Sequence, residues 1–444
     1  MPMKDCHAVL RYIDNPCFFL MIRRDRRCAL FSLVALAHLL ACSTEAAAVS
    51  TTAVTLNFVG DLAFQYLSPS RKWVSPYVDP ALSPEIRLIL QNGWTFGNLE
   101  TSVVSHESLH DVPPKTTDTT ATPKGVFVAT PENITTLADN GFNALTICNN
   151  HWYDTGEVGS ARTAKILSAA GIRPLCQASS KNTNAVKVES IEIGDEKWRI
   201  GLIASNVAID TPEPCDNYKT STFSHRPSCI ASHRSASGDK GKPREWKYNH
   251  TSIEQLLDAV SKSVSTHDMT VVSLHWGKQF QEKVSPAQRR LGQNIVRAGA
   301  KLVVGHHPHV VHGMEIVENI NSTGRGLIAY SLSSFLWPFA SQSVIMQVTV
   351  DFKAVSSTGR TGGKMLHHSH DHGRNKSTPA LPTEKILTMR VCMIPTLMKG
   401  GQLVVSSSDI QNVMLRKIAK LSSFLSDQYQ TNTDQFVKDG CISV

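Results

Sequence analysis

Short apolar runs alternate with amphipathic helical segments along most of the chain, and this alternation limits the fold more than any other feature. The runs at residues 53–61 and 270–277 are rich in valine and leucine, as buried strands are. Residues 252–264 instead repeat apolar side chains at the three- and four-residue spacing of a helix. A further helix is predicted to begin at Ser285 and to end at Gly299. Strands that alternate with helices predict an α/β architecture.

Five of the predicted strands end in polar residues of the types that bind metal ions. The residues at the five ends are Asp61; Asn98 and Glu100; Asn149, Asn150 and His151; His275; and His306, His307 and His309. In α/β sheets the carboxyl ends of the strands meet at one crevice, where ligands bind. The sequence therefore predicts that carboxylates, amides and imidazoles gather in one place.

This mixture of side chains indicates a centre for one or two divalent metal ions. Imidazole, carboxylate and amide oxygen together suit Zn, Mn or Fe. The densest part is the segment GHHPH, in which Pro308 stiffens the backbone between the predicted ligands His307 and His309, and His306 is their neighbour. Each residue taken alone is also typical of a turn or a hydrogen-bonded loop, so the prediction depends on the joint pattern.

Residues 1–48 have the pattern of a segment that targets a chain for secretion. The basic cluster Arg23–Arg27 precedes the apolar run Cys28–Ala41, which is short for a membrane span, and small residues follow. Two forms of processing are open: cleavage after Ala48, or attachment of a lipid at Cys42. We therefore expect a secreted or extracytoplasmic protein, either free or anchored to a membrane through its N-terminal segment.

Composition restricts the partners and the compartment of the protein. The formal net charge is +8, and removal of residues 1–48, which contain six basic and four acidic residues, leaves +6. This charge is spread along the chain, so it suits an anionic substrate but lacks the basic stripe of a nucleic-acid-binding protein. In an oxidising compartment, Cys215 and Cys229 either form a disulfide in a polar loop or remain two free thiols.

We predict one large domain over residues 53–350, with an irregular insertion at 210–248. Residues 355–381 are rich in histidine, glycine and serine and are predicted to be flexible. The tract HHSHDHG within them is either a surface tract or a metal-scavenging tail. Residues 382–444 are predicted to complete the domain with strands and a closing helix over 408–428.

The motifs at the strand ends resemble those of the capsule-synthesis protein A (CapA) family, also called the poly-γ-glutamate capsule biosynthesis (PGA_cap) family. This family is a branch of the calcineurin-like metallophosphoesterase superfamily. The resemblance runs from about Val54 to Trp337 and is carried by NFVGD, FGNLETSV, CNNHWYDTGEVG, VVSLHWGKQF, AGAKLVVGHHPHVVHG and IAYSLSSFLW. It implies a four-layer α/β sandwich of two mixed β-sheets flanked by helices, with the metal site at one end.

The resemblance also implies roles for individual residues. The implied metal ligands are Asp61, Glu100, Asn150, His275, His307 and His309. His151 matches the histidine that donates a proton, and the implied supporting residues are Asn98, Asn149, Asp154 and His306. The chain departs from the wider superfamily at Ala63, where a histidine ligand is usual, and at Asn98 or Glu100, where an aspartate is usual.

Two functions follow from this resemblance. The first is a metal-dependent hydrolase or transferase, in which metal-activated water attacks a phosphoester or amide and His151 acts as the general acid. The second is a non-catalytic component that binds an anionic polymer, and the departures at Ala63 and Asn98 favour it. In both cases the expected partners are an anionic polymer such as poly-γ-glutamate and a membrane-associated capsule synthesis complex.

Overall fold

The computed structural model describes most of the unit that spans Thr51–Val444. The described residues are 52–68, 75, 77–78, 82–104, 125–152, 154–176, 186–194, 197–207, 229–230, 232–234, 246–248, 250–318, 324–339, 342–355, 384–423 and 433–444. The predicted targeting segment 1–48, the predicted flexible segment after Val355 and Cys215 lie outside this part of the chain. Within it, no helix combines the length and the apolar character needed to cross a membrane.

The strands, in chain order, are β1 (Thr52–Leu62), β2 (Gln65–Leu67), β3 (Trp94–Leu99), β4 (Ser102–Val103), β5 (Val126–Ala129), β6 (Phe142–Thr146), β7 (Arg173–Leu175), β8 (Val188–Ile193), β9 (Trp198–Val207), β10 (Cys229–Ile230), β11 (Ser232–Arg234), β12 (Trp246–Tyr248), β13 (Met269–His275), β14 (Leu302–His306), β15 (Met314–Glu318), β16 (Arg325–Ala329), β17 (Ser334–Leu336), β18 (Gln342–Val355), β19 (Glu384–Lys399), β20 (Gln402–Val405) and β21 (Cys441–Ser443). The helices are α1 (Pro84–Gln91), α2 (Pro131–Asp139), α3 (Gly156–Ala169), α4 (His250–Thr266), α5 (Pro286–Arg297), α6 (Ser408–Ser423) and α7 (Thr433–Asp439).

Two mixed sheets form the frame of the protein. The larger sheet has the strand order β20-β19-β18-β1-β3-β6-β7, with β17 paired to β1 and β21 to β19. The smaller sheet has the order β10-β9-β13-β14-β16-β15, with β8 paired to β9. Strands β1, β3 and β6 are mutually parallel, as are β9, β13, β14 and β16. The predicted α/β class with two mixed sheets flanked by helices is confirmed.

The side-chain alternation of the smaller sheet explains how it is covered on both faces. Val271 belongs to the core cluster that also contains residues of the larger sheet. Its neighbour Val272 belongs to a second cluster, with Leu256 of α4 and Ile295 of α5. Successive side chains of a strand point to opposite faces, so a continuous apolar run indicates a strand buried on both sides.

Helix α5 shows how local sequence fixes an element next to the site. Oγ of Ser285 accepts a hydrogen bond from the backbone N–H of Gln288 (3.2 Å), which caps the helix as predicted. The turn after the helix includes Gly299, whose φ of +114° suits a glycine. Helix α6 begins at Ser408, the first residue of the predicted closing helix, and residues 424–428 of that prediction lie outside the described part of the chain.

Two features of the fold differ from the sequence prediction. The insertion at 210–248 was predicted to be irregular, but it contains the short strands β10, β11 and β12, and β10 extends the smaller sheet. Two disulfides that were not predicted join Cys148 to Cys176 and Cys392 to Cys441. The first lies directly before the predicted site residue Asn149, and the second attaches β21 to β19.

Candidate metal centre

Parallel strands of both sheets end at the same edge, and this brings predicted residues together. In the larger sheet Asp61 pairs with Asn98, and in the smaller sheet His275 pairs with His306. A hydrogen bond from the backbone N–H of His307 to Oδ2 of Asp61 (3.1 Å) joins the two sets of strand ends. The candidate centre therefore lies where the two sheets meet.

Asp61 is fully buried and is surrounded by donors. Its Oδ1 accepts a hydrogen bond from Nδ2 of Asn98 (2.8 Å), and its Oδ2 is 3.1 Å from Nδ1 of His309. Nδ1 of His306 lies 3.5 Å from Oδ1. Burial raises the pKa of the Asp61 carboxyl, but the hydrogen bonds and charges of His306 and His309 outweigh burial and hold this pKa well below its usual range. Asp61 is thus an ionised carboxylate, the form that binds a cation.

Glu100 lies at the centre of the group of imidazoles. Its side chain is fully buried, and its Oε1 is 3.5 Å from Nε2 of His275, 3.9 Å from Nε2 of His151 and 4.0 Å from Nε2 of His309. Its backbone N–H donates to the carbonyl of Leu62 (2.9 Å), which fixes its position after β3. The Glu100 carboxylate therefore lies within 4.0 Å of three imidazoles.

His275 is a buried, neutral imidazole whose proton can be placed from its neighbours. Because the Asp61 carboxylate only accepts hydrogen bonds, the facing atom of Asn98 is its amide nitrogen, which also lies 3.2 Å from Nδ1 of His275. Nδ1 is then an acceptor, and Nε2 donates to Oδ1 of Asn150 (2.8 Å). Burial, and next the charge of His307, hold the pKa of His275 well below its usual range. The ring is therefore neutral, which is the form of histidine that binds a metal ion.

The segment His307-Pro308-His309, which we call the H-x-H segment, adopts rare backbone conformations. His307 and His309 have φ values of 94° and 56°, and Ser333 beside them has 67°, a region that non-glycine residues seldom occupy. Oγ of Ser333 donates to the carbonyl of His309 (3.0 Å) and so helps to hold this geometry. A side chain at Gly305 would overlap the carbonyl oxygen of Tyr330, which explains the glycine before the histidines.

A chain of side-chain amides connects Asp61 to the predicted proton donor. Oδ1 of Asn98 accepts a hydrogen bond from Nδ2 of Asn149 (3.0 Å), and Oδ1 of Asn149 accepts from the backbone N–H of His151 (3.1 Å). Nδ1 of His151 lies 2.7 Å from Oδ2 of Asp154. These contacts leave Nε2 of His151 directed toward Glu100. The side chain of His151 is 12% exposed.

The residues present fit a divalent metal ion. Nε2 of His309 is buried and has no hydrogen-bond partner within the described part of the chain, although buried polar atoms are normally paired. Two groups of ligand atoms each lie within 4.8 Å of one another: Asp61, Glu100 and His309 form one, and Glu100, His275 and His307 form the other. Carboxylate oxygens combined with neutral imidazoles are the donors that Zn, Mn and Fe accept.

Three residues that contact the site were not predicted from the sequence. His312, which follows the clustered histidines in the sequence, lies outside the candidate centre. Oγ of Ser334, at the start of β17, is 2.9 Å from Nδ1 of His309. The ring of Trp337 packs on His309, and the ring of Phe127 meets His151 edge-on. His312, in contrast, directs its Nε2 to the carbonyl of Gln281 (2.6 Å). The only sequence signal for Ser334 is its place beside Ser333 in the otherwise apolar segment before Trp337.

Comparison with known proteins assigns the chain to a family. The family model described as "Bacterial capsule synthesis protein PGA_cap" matches residues 55–338. "Capsule biosynthesis protein CapA" of Bacillus anthracis is 26% identical over 221 residues, which are 49% of this chain and 46% of that protein. "PGA biosynthesis protein CapA" of Bacillus subtilis (strain 168) is 34% identical over 98 residues, which are 21% of this chain and 24% of that protein.

A "Probable polyglutamine synthesis accessory protein" of Mycobacterium tuberculosis is 24% identical over 190 residues, which are 42% of this chain and 44% of that protein. The chain thus spans less than half the length of each of these three relatives. The family model, however, covers more than half of the chain and includes every predicted ligand. The chain therefore belongs to the bacterial capsule synthesis protein family PGA_cap.

Proposed function

We propose that this protein is a metal-dependent hydrolase or transferase that acts on a phosphoester or amide bond of an anionic capsule polymer outside the cytoplasm. The observation that carries the proposal is the pair of ligand groups that share Glu100. A shared carboxylate lowers the repulsion between two nearby cations. His151 lies beside this carboxylate, where it can exchange a proton with a substrate.

The chemistry divides between the ion and the protein. A bound divalent ion supplies Lewis acidity and activates water at neutral pH. Asp61 and Glu100 supply the negative charge that holds it, and the neutral imidazoles of His275 and His309 complete the set without adding positive charge. His151 donates a proton from Nε2 to the leaving group, while the carboxylate of Asp154 fixes its ring through Nδ1.

The proposed substrate and location come from the family and from the N-terminal segment. The names of the relatives concern capsule, PGA and polyglutamine synthesis, which supports a capsule polyamide as substrate, and the net positive charge of this chain favours an anionic one such as poly-γ-glutamate. Residues 1–48 support export of the protein. In this setting the protein works beside a membrane-associated capsule synthesis complex.

A second function is supported by a specific observation. The amide of Asn98 donates a hydrogen bond to Asp61, at a place where an aspartate would add a negative charge, and Ala63 offers no ligand atom. A centre with fewer ligands binds a second ion more weakly. The alternative is therefore a non-catalytic component that binds the polymer and assists its assembly or export.

Metal analysis and turnover measurements on the purified chain distinguish the two functions. We expect one or two Mn, Fe or Zn ions per chain by elemental analysis, and cleavage of a phosphodiester or of poly-γ-glutamate that a chelator abolishes. His309→Ala provides the matched variant, since it removes one ligand of the first group. Polymer binding without cleavage of any of these substrates would contradict the hydrolase and favour the binding component.

A further inference from the structure

A continuous row of aromatic rings runs through the candidate centre. Neighbouring ring centroids are 5.8, 4.2, 4.6, 5.1 and 5.7 Å apart. We call this row the aromatic strip, and its members in order are Phe280, His309, Trp337, Phe127, Tyr66 and Phe339. They come from distant parts of the sequence, so only the fold brings them into contact.

Both ends of the aromatic strip are open to solvent, whereas its middle is buried. Phe280 is 68% exposed and Phe339 is 55% exposed, but Trp337 and Phe127 are each only 5% exposed. A single exposed apolar side chain is ordinary, but an exposed ring in contact with a site, as Phe280 is with His309, forms part of the surface that a ligand of that site meets. The two ends of the strip are therefore its parts most accessible to a ligand.

Phe280 is held in place and does not merely lie on a surface loop. Its φ of 58° is rare for a bulky residue, and its backbone N–H donates to the carbonyl of Pro308 (2.8 Å) within the H-x-H segment. The next residue, Gln281, offers its carbonyl to Nε2 of His312 (2.6 Å). A strained backbone that holds an exposed ring in one position is typical of a preorganised binding site.

The aromatic strip contacts both the predicted metal ligands and the predicted proton donor. His309 is a member of the strip and also of one ligand group. The ring of Phe127 meets the ring of His151 edge-on, with centroids 4.7 Å apart. In order of ring contacts, the two exposed ends thus lie on either side of the predicted ligand and the predicted proton donor.

We propose that the two exposed ends of the aromatic strip bind an extended anionic polyamide on both sides of the metal centre, so that the centre faces the interior of a polymer chain and not only its end. This inference rests on the proposed function. Amide planes and methylene groups pack well on aromatic rings. Lys278 and Lys283, both exposed and in the same loop as Phe280, favour the carboxylates of such a polymer, and the carboxylate of Glu282 between them is paired with Lys417.

Calorimetric binding of poly-γ-glutamate by the full chain tests this inference. Phe280→Ala and Phe339→Ala should each weaken binding of long chains by about threefold to tenfold, and the double variant should weaken it further. A glutamate dimer reaches only one side, so it should respond to one ring at most. Phe280→Leu keeps an apolar side chain without the ring. It replaces Phe280→Ala if the alanine variant does not fold, and it should weaken binding of long chains in the same way. Leu88→Ala is the control, because Leu88 is 69% exposed on α1 and is not a member of the strip.

The outcomes separate this inference from the proposed function. Wild-type protein that binds long chains through both rings but cleaves none of them supports the strip and overturns the hydrolase. Wild-type protein that cleaves a phosphodiester while the ring variants bind long chains normally overturns the strip and leaves the hydrolase. Absence of polymer binding by the wild type, or an equal loss in Leu88→Ala, also overturns the strip.

Discussion

Replacement of His151 by alanine should separate proton donation from metal binding. The side chain of His151 is 12% exposed, whereas those of His275 and His309 are 2% and 1% exposed. His151 is also a member of neither ligand group, and its Nδ1 is taken up by Asp154 at 2.7 Å. We therefore expect His151→Ala to keep its metal and to lose turnover.

The size of the effect follows from the role of each partner. Loss of a general acid costs a factor of roughly 10²–10⁴ in rate when the leaving group needs a proton. Asp154→Asn should cost less, because the amide still positions the ring but no longer stabilises its positive charge. A charge-assisted hydrogen bond exceeds a neutral one by about 1–1.5 kcal/mol, which corresponds to about tenfold in rate.

The assay compares two esters that differ in their leaving group. An alkyl ester needs a proton on its leaving oxygen, and a nitrophenyl ester does not. We expect His151→Ala to lose most of its kcat/KM on the alkyl ester and much less on the nitrophenyl ester, with unchanged metal content by elemental analysis. His267→Ala is a matched control, because His267 precedes β13 at the end away from the centre.

Two results would refute this reasoning. Loss of metal from His151→Ala to the same extent as from His307→Ala would make His151 a ligand. An equal loss of rate on both esters would mean that His151 positions the substrate or the site and does not donate a proton.

Three further predictions concern the metal, a disulfide and acid stability. His307→Ala and His309→Ala should each lower bound metal in elemental analysis, and wild-type stoichiometry in both would contradict their assignment as ligands. Cys392→Ser opens a disulfide to Cys441 that closes a separation of 49 residues, so urea unfolding should show a loss of about 4 kcal/mol, and an unchanged midpoint would contradict it. Burial lowers the pKa of His312 from 6.5 to about 4. As the pH falls, His312 is therefore protonated in the unfolded chain before it is protonated in the folded one, which destabilises the folded state. Wild-type protein should therefore lose about 3 kcal/mol more than His312→Asn between pH 6.5 and 4, and equal pH dependence in urea unfolding would refute this.

The sequence by itself determined the elements and the general position of the site. Apolar runs, capping residues and stop glycines act over a few residues, so the strand before Asp61 and the helix after Ser285 could be predicted from their own segments. Parallel strands bring their carboxyl ends to one edge in any such sheet. The gathering of Asp61, Asn98 and Glu100 at one edge, and of His275 with His306 at another, could therefore be predicted without knowledge of the packing.

Only the tertiary structure decided which atoms face one another. His306, His309 and His312 are close in sequence, yet two of them contact Asp61 and the third contacts a loop carbonyl, because the rare backbone conformation at His307 and His309 redirects the side chains. The link from Asn98 through Asn149 to His151 has the same origin. Such contacts join segments far apart in the chain and depend on how the two sheets pack, whereas periodicity in a sequence reports only on neighbouring residues.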